Sequence, residues 1–282
     1  MAHEPRRPTV GGQALLDGVL MRSDHAWAIA RADGSVRSGP VRQPPLPRIP
    51  LVRVYTGLVP ALLKGLSELA SRGGVRRRTN RRRMLVFVTV LLGVDLVVGM
   101  AVDAATGDSS SFLVQSAITI GFFVAMLGGM RLLAPTALWR YHGAEHKAVS
   151  AFEAGADPTD VDAALRAPRV HPRCGTNIVF LMLILSLVPV GGPASVQVLV
   201  WLTAFAGAVE LLRVAGRHPA AWWARLLSGG GRWLQASVTT AEPTAAEQAV
   251  GCRALAACLA VHAEFAGLQP APPLPVGSPP DG

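Results

Sequence analysis

Two long apolar runs, residues 84–105 and 112–134, constrain this chain more than any other feature. Each is long enough to cross a bilayer, for which roughly 20 helical residues suffice. In hydrocarbon every backbone N–H and C=O must be bonded within the protein, so runs like these are expected to fold as helices. Arg76, Arg77, Arg78, Arg81, Arg82 and Arg83 stand directly before the first run, whereas linker 106–111 holds no Lys or Arg. The positive-inside rule therefore puts the linker outside and both ends of the hairpin in the cytoplasm. Asp95, midway along the first run, must face protein or water.

A second apolar pair, 178–188 and 196–214, is broken by the uncharged turn Pro189-Val190-Gly191-Gly192-Pro193. Its first arm is short for a crossing and reads as tilted, re-entrant, or completed by residues 175–190. The chain is 50% hydrophobic and 16% charged, which is unusual for a soluble domain. Its net charge of +9 is concentrated beside the apolar runs. That placement suits an anionic leaflet and argues against a nucleic-acid partner. Three cysteines do not make a disulfide framework and are expected to be reduced.

These readings predict a mainly α polytopic membrane protein with about four transmembrane helices in two hairpins. A small N-terminal β-hairpin and cytoplasmic helical segments complete it. In order, 1–10 is a flexible arm without signal-peptide character. Segment 11–50 carries a β-hairpin, with Asp33-Gly34 as its turn, and a proline-rich connector. Segment 51–83 is an amphipathic helix and the arginine cluster, and 84–134 is the first transmembrane hairpin. A cytoplasmic motif loop at 135–175 precedes the second hairpin at 176–215. Residues 216–268 form a cytoplasmic helical segment with an interfacial stretch around Trp222, Trp223, Arg225, Arg232 and Trp233. Its last helix, about 244–265, starts with a Thr244/Glu247 capping box. Cys258 and His262 read as packing residues of that helix, and 269–282 as a disordered tail.

The chemistry is concentrated in Tyr141-His142-Gly143-Ala144-Glu145-His146-Lys147. H-x-x-E-H is the pattern of inverted zincins, in which two histidines hold zinc and the glutamate is the general base. On a helix His142 and His146 lie one turn apart, with Glu145 about 60° to the side. Glu153 returns to within about 20° of His142 and is expected to orient a histidine. Val170-His171-Pro172-Arg173-Cys174-Gly175 follows, with the H-x-x-C spacing that can bring an imidazole and a thiolate to one metal. Glu210, in the last apolar arm, is either a remote carboxylate ligand or the ion-pair partner of Arg213 or Arg131. Near the N-terminus, Gln13, Asp17 and Arg22 are the polar positions of an apolar run, and Gly11-Gly12 could admit close backbone approach.

Gly-Gly-Gln-Ala-x-x-Asp-Gly-Val at 11–19, the His142–Lys147 motif, His-Pro-Arg-Cys-Gly-Thr at 171–176 and Leu-Gln-x-x-x-Thr-Thr-x-Glu-Pro at 234–243 together resemble the YqhQ-like family of bacterial membrane proteins. The resemblance runs from about Gly11 to about His262. Family members are sometimes described as predicted metal-dependent enzymes, and their substrate is not named. Relatives usually carry glutamate where Asp17 stands and commonly a tyrosine before the glutamate at Glu210.

The expected function is that of a zinc-dependent hydrolase in the cytoplasmic membrane, facing the cytoplasm. His142 and His146 would ligate a divalent metal, with His171, Cys174 or Glu210 as third ligand and Glu145 as base. Glu153, Gln13 and Asp17 would support these residues. If His142, His146, His171 and Cys174 all ligate, the site is closed and the protein is a scaffold or assembly factor with a structural metal. The bilayer is the expected partner, with a homo-oligomer or another membrane protein left open.

Overall fold

A computed structural model describes residues 7–41, 49, 51–57, 112–188, 193–218 and 220–266, with seven isolated positions between 82 and 97. The N-terminal part is a four-stranded antiparallel meander: β1 (Gly11–Leu15), β2 (Gly18–Arg22), β3 (Ala26–Arg31) and β4 (Val36–Pro40). The expected hairpin is β3–β4, and two further strands, β1 and β2, extend it. The β3–β4 turn is where the sequence predicts it. Gly34 there has φ of +85°, a conformation that glycine adopts without a Cβ penalty, and Asp33 Oδ1 accepts from the Ser35 N–H at 2.9 Å.

Period-two alternation explains how this sheet packs. Val19 and Met21 of β2 and Ala26, Ala28 and Ala30 of β3 point to one face, Leu20 and Ile29 to the other. On the first face the sheet meets two helices, α2 (Thr136–Glu153) and the last helix, α7 (Ala245–Phe265). The alanines of β3 leave room for α7 to lie close, and Met21, Leu255 and Val149 fill the layer between. Each such side chain, fully buried, stabilises the fold by about 1.5–3 kcal/mol. Val10 is buried in the same core, and the Arg7 guanidinium donates to the carbonyls of Phe152 and Gly155. Residues 7–10 are therefore docked on α2 rather than part of a flexible arm.

Around this unit run α1 (Phe112–Leu133), α3 (Val161–Arg166), α4 (Thr176–Ser186), α5 (Ala194–Arg217) and α6 (Trp222–Leu234). A single π-helical turn, Gln235–Thr239, continues α6. Pro135 separates α1 from α2, because proline lacks the N–H that would continue the helix. Within 135–175 the H-x-x-E-H motif thus lies on a helix, as its spacing predicts, and α3 adds a second, shorter one. α7 opens with the capping box that its sequence predicts: Thr244 Oγ1 accepts from the Glu247 N–H and Glu247 accepts from the Thr244 N–H.

Among the described residues two stretches are long and apolar enough to cross a membrane, Ser116–Leu133 in α1 and Ser195–Arg217 in α5. Of the four expected spans these two are present among the described residues. α4 has 11 residues, about 16 Å of helix against roughly 30 Å of hydrocarbon. It cannot cross alone. Apart from those isolated positions, the expected span 84–105 with Asp95, most of the amphipathic helix in 51–83, and the tail 269–282 lie outside the described residues.

Segment 239–243 crosses α2 so closely that a Cβ on Gly143 would sit 2.1 Å from the Ala241 carbonyl oxygen. Gly143→Ala is expected to destabilise the protein by about 1–3 kcal/mol through overpacking. Gly229→Ala, where the added Cβ meets open space inside α6, should be neutral or stabilising by up to about 1 kcal/mol. Denaturant unfolding of the two variants side by side measures both.

Candidate metal centre

α2 brings His142 and His146 to one face, with ring centroids 4.4 Å apart. The loop before α4 adds Cys174, whose Sγ lies 3.4 Å from Nε2 of His142. The ligand atoms of His142, His146 and Cys174 all lie within 4.8 Å of one another. A tetrahedral zinc with Zn–S near 2.3 Å and Zn–N near 2.0–2.1 Å would separate sulfur and nitrogen by about 3.5 Å. The Cys174–His142 separation matches that value.

The two rings are held from behind in the same way. Nδ1 of His142 lies 2.6 Å from the Thr239 carbonyl oxygen, and Nδ1 of His146 lies 2.7 Å from that of Arg169. A carbonyl only accepts, so each Nδ1 carries the proton and, in the neutral ring, each Nε2 presents a lone pair. Carbonyl-backed imidazoles of this kind are the usual support of metal-ligating histidines. Glu145 is buried, and its Oε2 is 3.5 Å from Nε2 of His146. A carboxylate and an imidazole lone pair facing each other call for a cation or a proton between them.

Beside these groups is a cavity of about 180 Å³ lined by Val10, Gly11, Gly12, Val149, Arg173 and Gly175 together with the candidate residues. A Cβ on Gly12 would sit 2.8 Å from Cγ of Glu145. The N-terminal contribution is therefore Val10 and backbone at two glycines. Gln13 and Asp17, expected to support the site through their side chains, do not line the cavity. Gln13 is paired with Leu20 in the sheet, and Asp17 accepts from Arg31 at 2.6 Å.

His171 lines the cavity but has both nitrogens occupied. Its Nε2 donates to Glu153 Oε2 at 3.2 Å, and its Nδ1 accepts from the Arg173 N–H at 3.3 Å. Burial pushes the Glu153 carboxyl up, but the His171 hydrogen bond and the adjacent Arg173 outweigh it and hold it below the usual range. Glu153 thus bonds His171 and Arg173 rather than His142 or His146. Glu210 is elsewhere: Arg53 grips both its oxygens, at 2.9 and 2.6 Å, and Arg213 donates at 2.8 Å. Of its two readings the ion pair is the one observed, with Arg53 added, because a carboxylate on an apolar helix takes the nearest guanidinium.

Sequence reasoning missed what fixes the two backing carbonyls. Lys147, buried, donates to the carbonyls of Leu165 and Ala167 at 2.8 and 3.0 Å and pairs with Glu242 at 3.1 Å. Arg169 reaches the same carboxylate at 3.1 Å and also the Thr240 hydroxyl and carbonyl. One clamp therefore ties segment 165–169 to segment 239–242, and those segments carry the oxygens that hold His146 and His142. Gln235 adds a bond from the His171 N–H at 2.8 Å. The signals were Lys147 itself, a lysine beside the small residues Gly143, Ala144 and Ala151 of its helix, and the Thr-Thr-x-Glu run that follows α6. Lys147→Met, which leaves the carbonyls of Leu165 and Ala167 without their donor, is expected to lower stability by about 1–3 kcal/mol. Urea unfolding followed by circular dichroism measures it.

No solved structure matches this chain. A Bacillus subtilis (strain 168) protein described as uncharacterized protein YqhQ is 26% identical over 217 residues, covering 64% of this chain and 68% of that protein. The family model described as "Protein of unknown function (DUF1385)" matches residues 49–261, which takes in the H-x-x-E-H helix, the His171–Cys174 loop, the clamp and most of α7. The chain belongs to this DUF1385, YqhQ-like family.

Proposed function

We propose that the protein is a zinc-dependent hydrolase held in the cytoplasmic membrane, with its metal centre on the cytoplasmic side. One observation carries the reading. His142, His146 and Cys174 converge with lone pairs inward, while His171 and Glu210, the other candidates, are committed to other partners. Three ligands beside a cavity fit a catalytic centre, which keeps a position for water, better than a closed structural one. A two-histidine, one-thiolate set with borderline softness suits zinc.

A divalent cation bound there would supply Lewis acidity and a water of lowered pKa. The chain's own groups supply the rest. Glu145 takes the proton of a water attacking a carbonyl or phosphoryl centre and returns it to the leaving group. The Thr239 and Arg169 carbonyls keep both histidines in the ligating tautomer. Val10 and Val149 exclude water from one wall of the cavity.

The membrane placement rests on α1 and α5 and on their arginines. Arg131 lies in the last turn of α1, and Arg213 and Arg217 near the end of α5. Those ends adjoin α2 and α6, so the positive-inside rule assigns the metal centre and both termini to the cytoplasm. Residues 84–105 supply a further span in this reading, with α4 as an arm that enters without crossing.

Purified protein is expected to hold one zinc per chain, measured by elemental analysis. His142→Ala, His146→Ala and Cys174→Ala should each lose most of it, whereas His171→Ala and Glu210→Gln should retain it. Full metal content in a His142→Ala/His146→Ala variant would remove the ligand assignment. On a panel of ester, amide and phosphoester substrates, Glu145→Gln should keep the zinc and lose about 100-fold or more of any turnover. Unchanged turnover in that variant would remove Glu145 as the base, and zinc-loaded protein without turnover on the panel would leave the scaffold role as the function.

A further inference from the structure

α6 divides into two faces that have different partners. Taking about 100° per residue, Trp222, Leu226 and Trp233 fall within roughly 40° of one another, and Arg225 and Arg232 lie roughly 60–80° to one side. Ala224, Ser228, Gly231 and Leu234 occupy the opposite face and are buried. That small-residue face is pressed onto α4: a Cβ on Gly231 would collide with Asn177, and one on Gly230 with the Phe180 ring. The aromatic face is open, with Trp222 72%, Leu226 71% and Trp233 64% exposed. Three large apolar side chains do not stay in water at one stripe of a helix without a partner.

Charge and chain position identify the partner. Between Glu210 and Glu242 the sequence holds no acidic residue, but it holds Arg213, Arg217, Arg225 and Arg232. α6 starts at Trp222, five residues after the apolar helix α5 ends at Arg217. A helix leaving the hydrocarbon at Arg217 delivers α6 to headgroup depth. Tryptophan is enriched at that depth because its ring is apolar and its N–H polar, and arginine there meets phosphate.

We infer that α6 is an interfacial helix that docks on anionic phospholipid, inserting Trp222, Leu226 and Trp233 at the acyl–headgroup boundary and setting Arg225 and Arg232 on headgroup phosphates. Because the π-helical turn Gln235–Thr239 continues α6 and ends at the carbonyl that backs His142, the docked helix holds the metal centre at the bilayer surface. The inference shares with the proposed function the membrane location of α5 and none of the metal chemistry.

The test uses the full chain reconstituted in phosphatidylglycerol vesicles whose acyl chains are brominated near the headgroup end, with tryptophan emission as readout. Compared with wild type, Trp222→Phe/Trp233→Phe is expected to lose about a third or more of the quenched emission, two of the six tryptophans having been removed. Arg225→Glu/Arg232→Glu should reduce quenching in phosphatidylglycerol to the level seen in phosphatidylcholine. Equal quenching of wild type and the tryptophan variant, as when a second copy covers the stripe, would overturn the docking. A tryptophan effect without a response to charge reversal would overturn the anionic-lipid assignment. Zinc content measured on the same vesicles separates this result from that of the metal reading.

Discussion

Two backbone carbonyls decide what the H-x-x-E-H helix can do. A histidine pair one turn apart on a helix is free to adopt either tautomer and several ring orientations. The Thr239 and Arg169 oxygens remove that freedom by accepting from Nδ1, leaving Nε2 of each ring to face Cys174 and Glu145. Neither carbonyl belongs to α2 or to the sheet. One lies on irregular backbone before α4 and the other on the last residue of the π-helical turn, and both places depend on what bonds to them.

That is the work of Lys147 and Glu242. A buried ammonium needs several acceptors to replace its water, and Lys147 finds two carbonyls and a carboxylate on two different segments. The need of one cation for solvation thus becomes a geometric constraint on two imidazoles. Gly143 serves the same arrangement from the other side, since only a residue without Cβ lets segment 239–243 lie against α2. Gly12 does likewise for β1 against Glu145. The sheet, through its alanine-rich face and α7, then holds α2 in place.

Much of this was legible in residue order and some was not. The helical stripe of His142, Glu145 and His146 follows from spacing alone, and the H-x-x-C loop nominated Cys174, whose Sγ the fold brings 3.4 Å from Nε2 of His142. The capping box of α7 and the Asp33-Gly34 turn are local chemistry and were read directly. His171 and Glu210 show the limit. Both are ligand types at plausible positions, yet one is saturated by Glu153 and the Arg173 N–H, the other by Arg53 and Arg213. Arg53 is 157 residues from Glu210, and no local pattern connects them. Strands β1 and β2 have five residues each, too few for their periodicity to mark them as strands.

By itself, then, the sequence determined the apolar helices, the arginine asymmetry around them and the residue types offered for metal chemistry. These depend on spacing along one helix and on the transfer of side chains from water, which are local properties. Tertiary structure decided which of the offered ligands remain free and which tautomer each histidine adopts. It also decided that the glycines at 11–12, rather than Gln13 or Asp17, line the cavity. The physical reason is that a ligand's availability depends on every donor and acceptor packed against it, and those come from chain segments whose meeting no local pattern encodes.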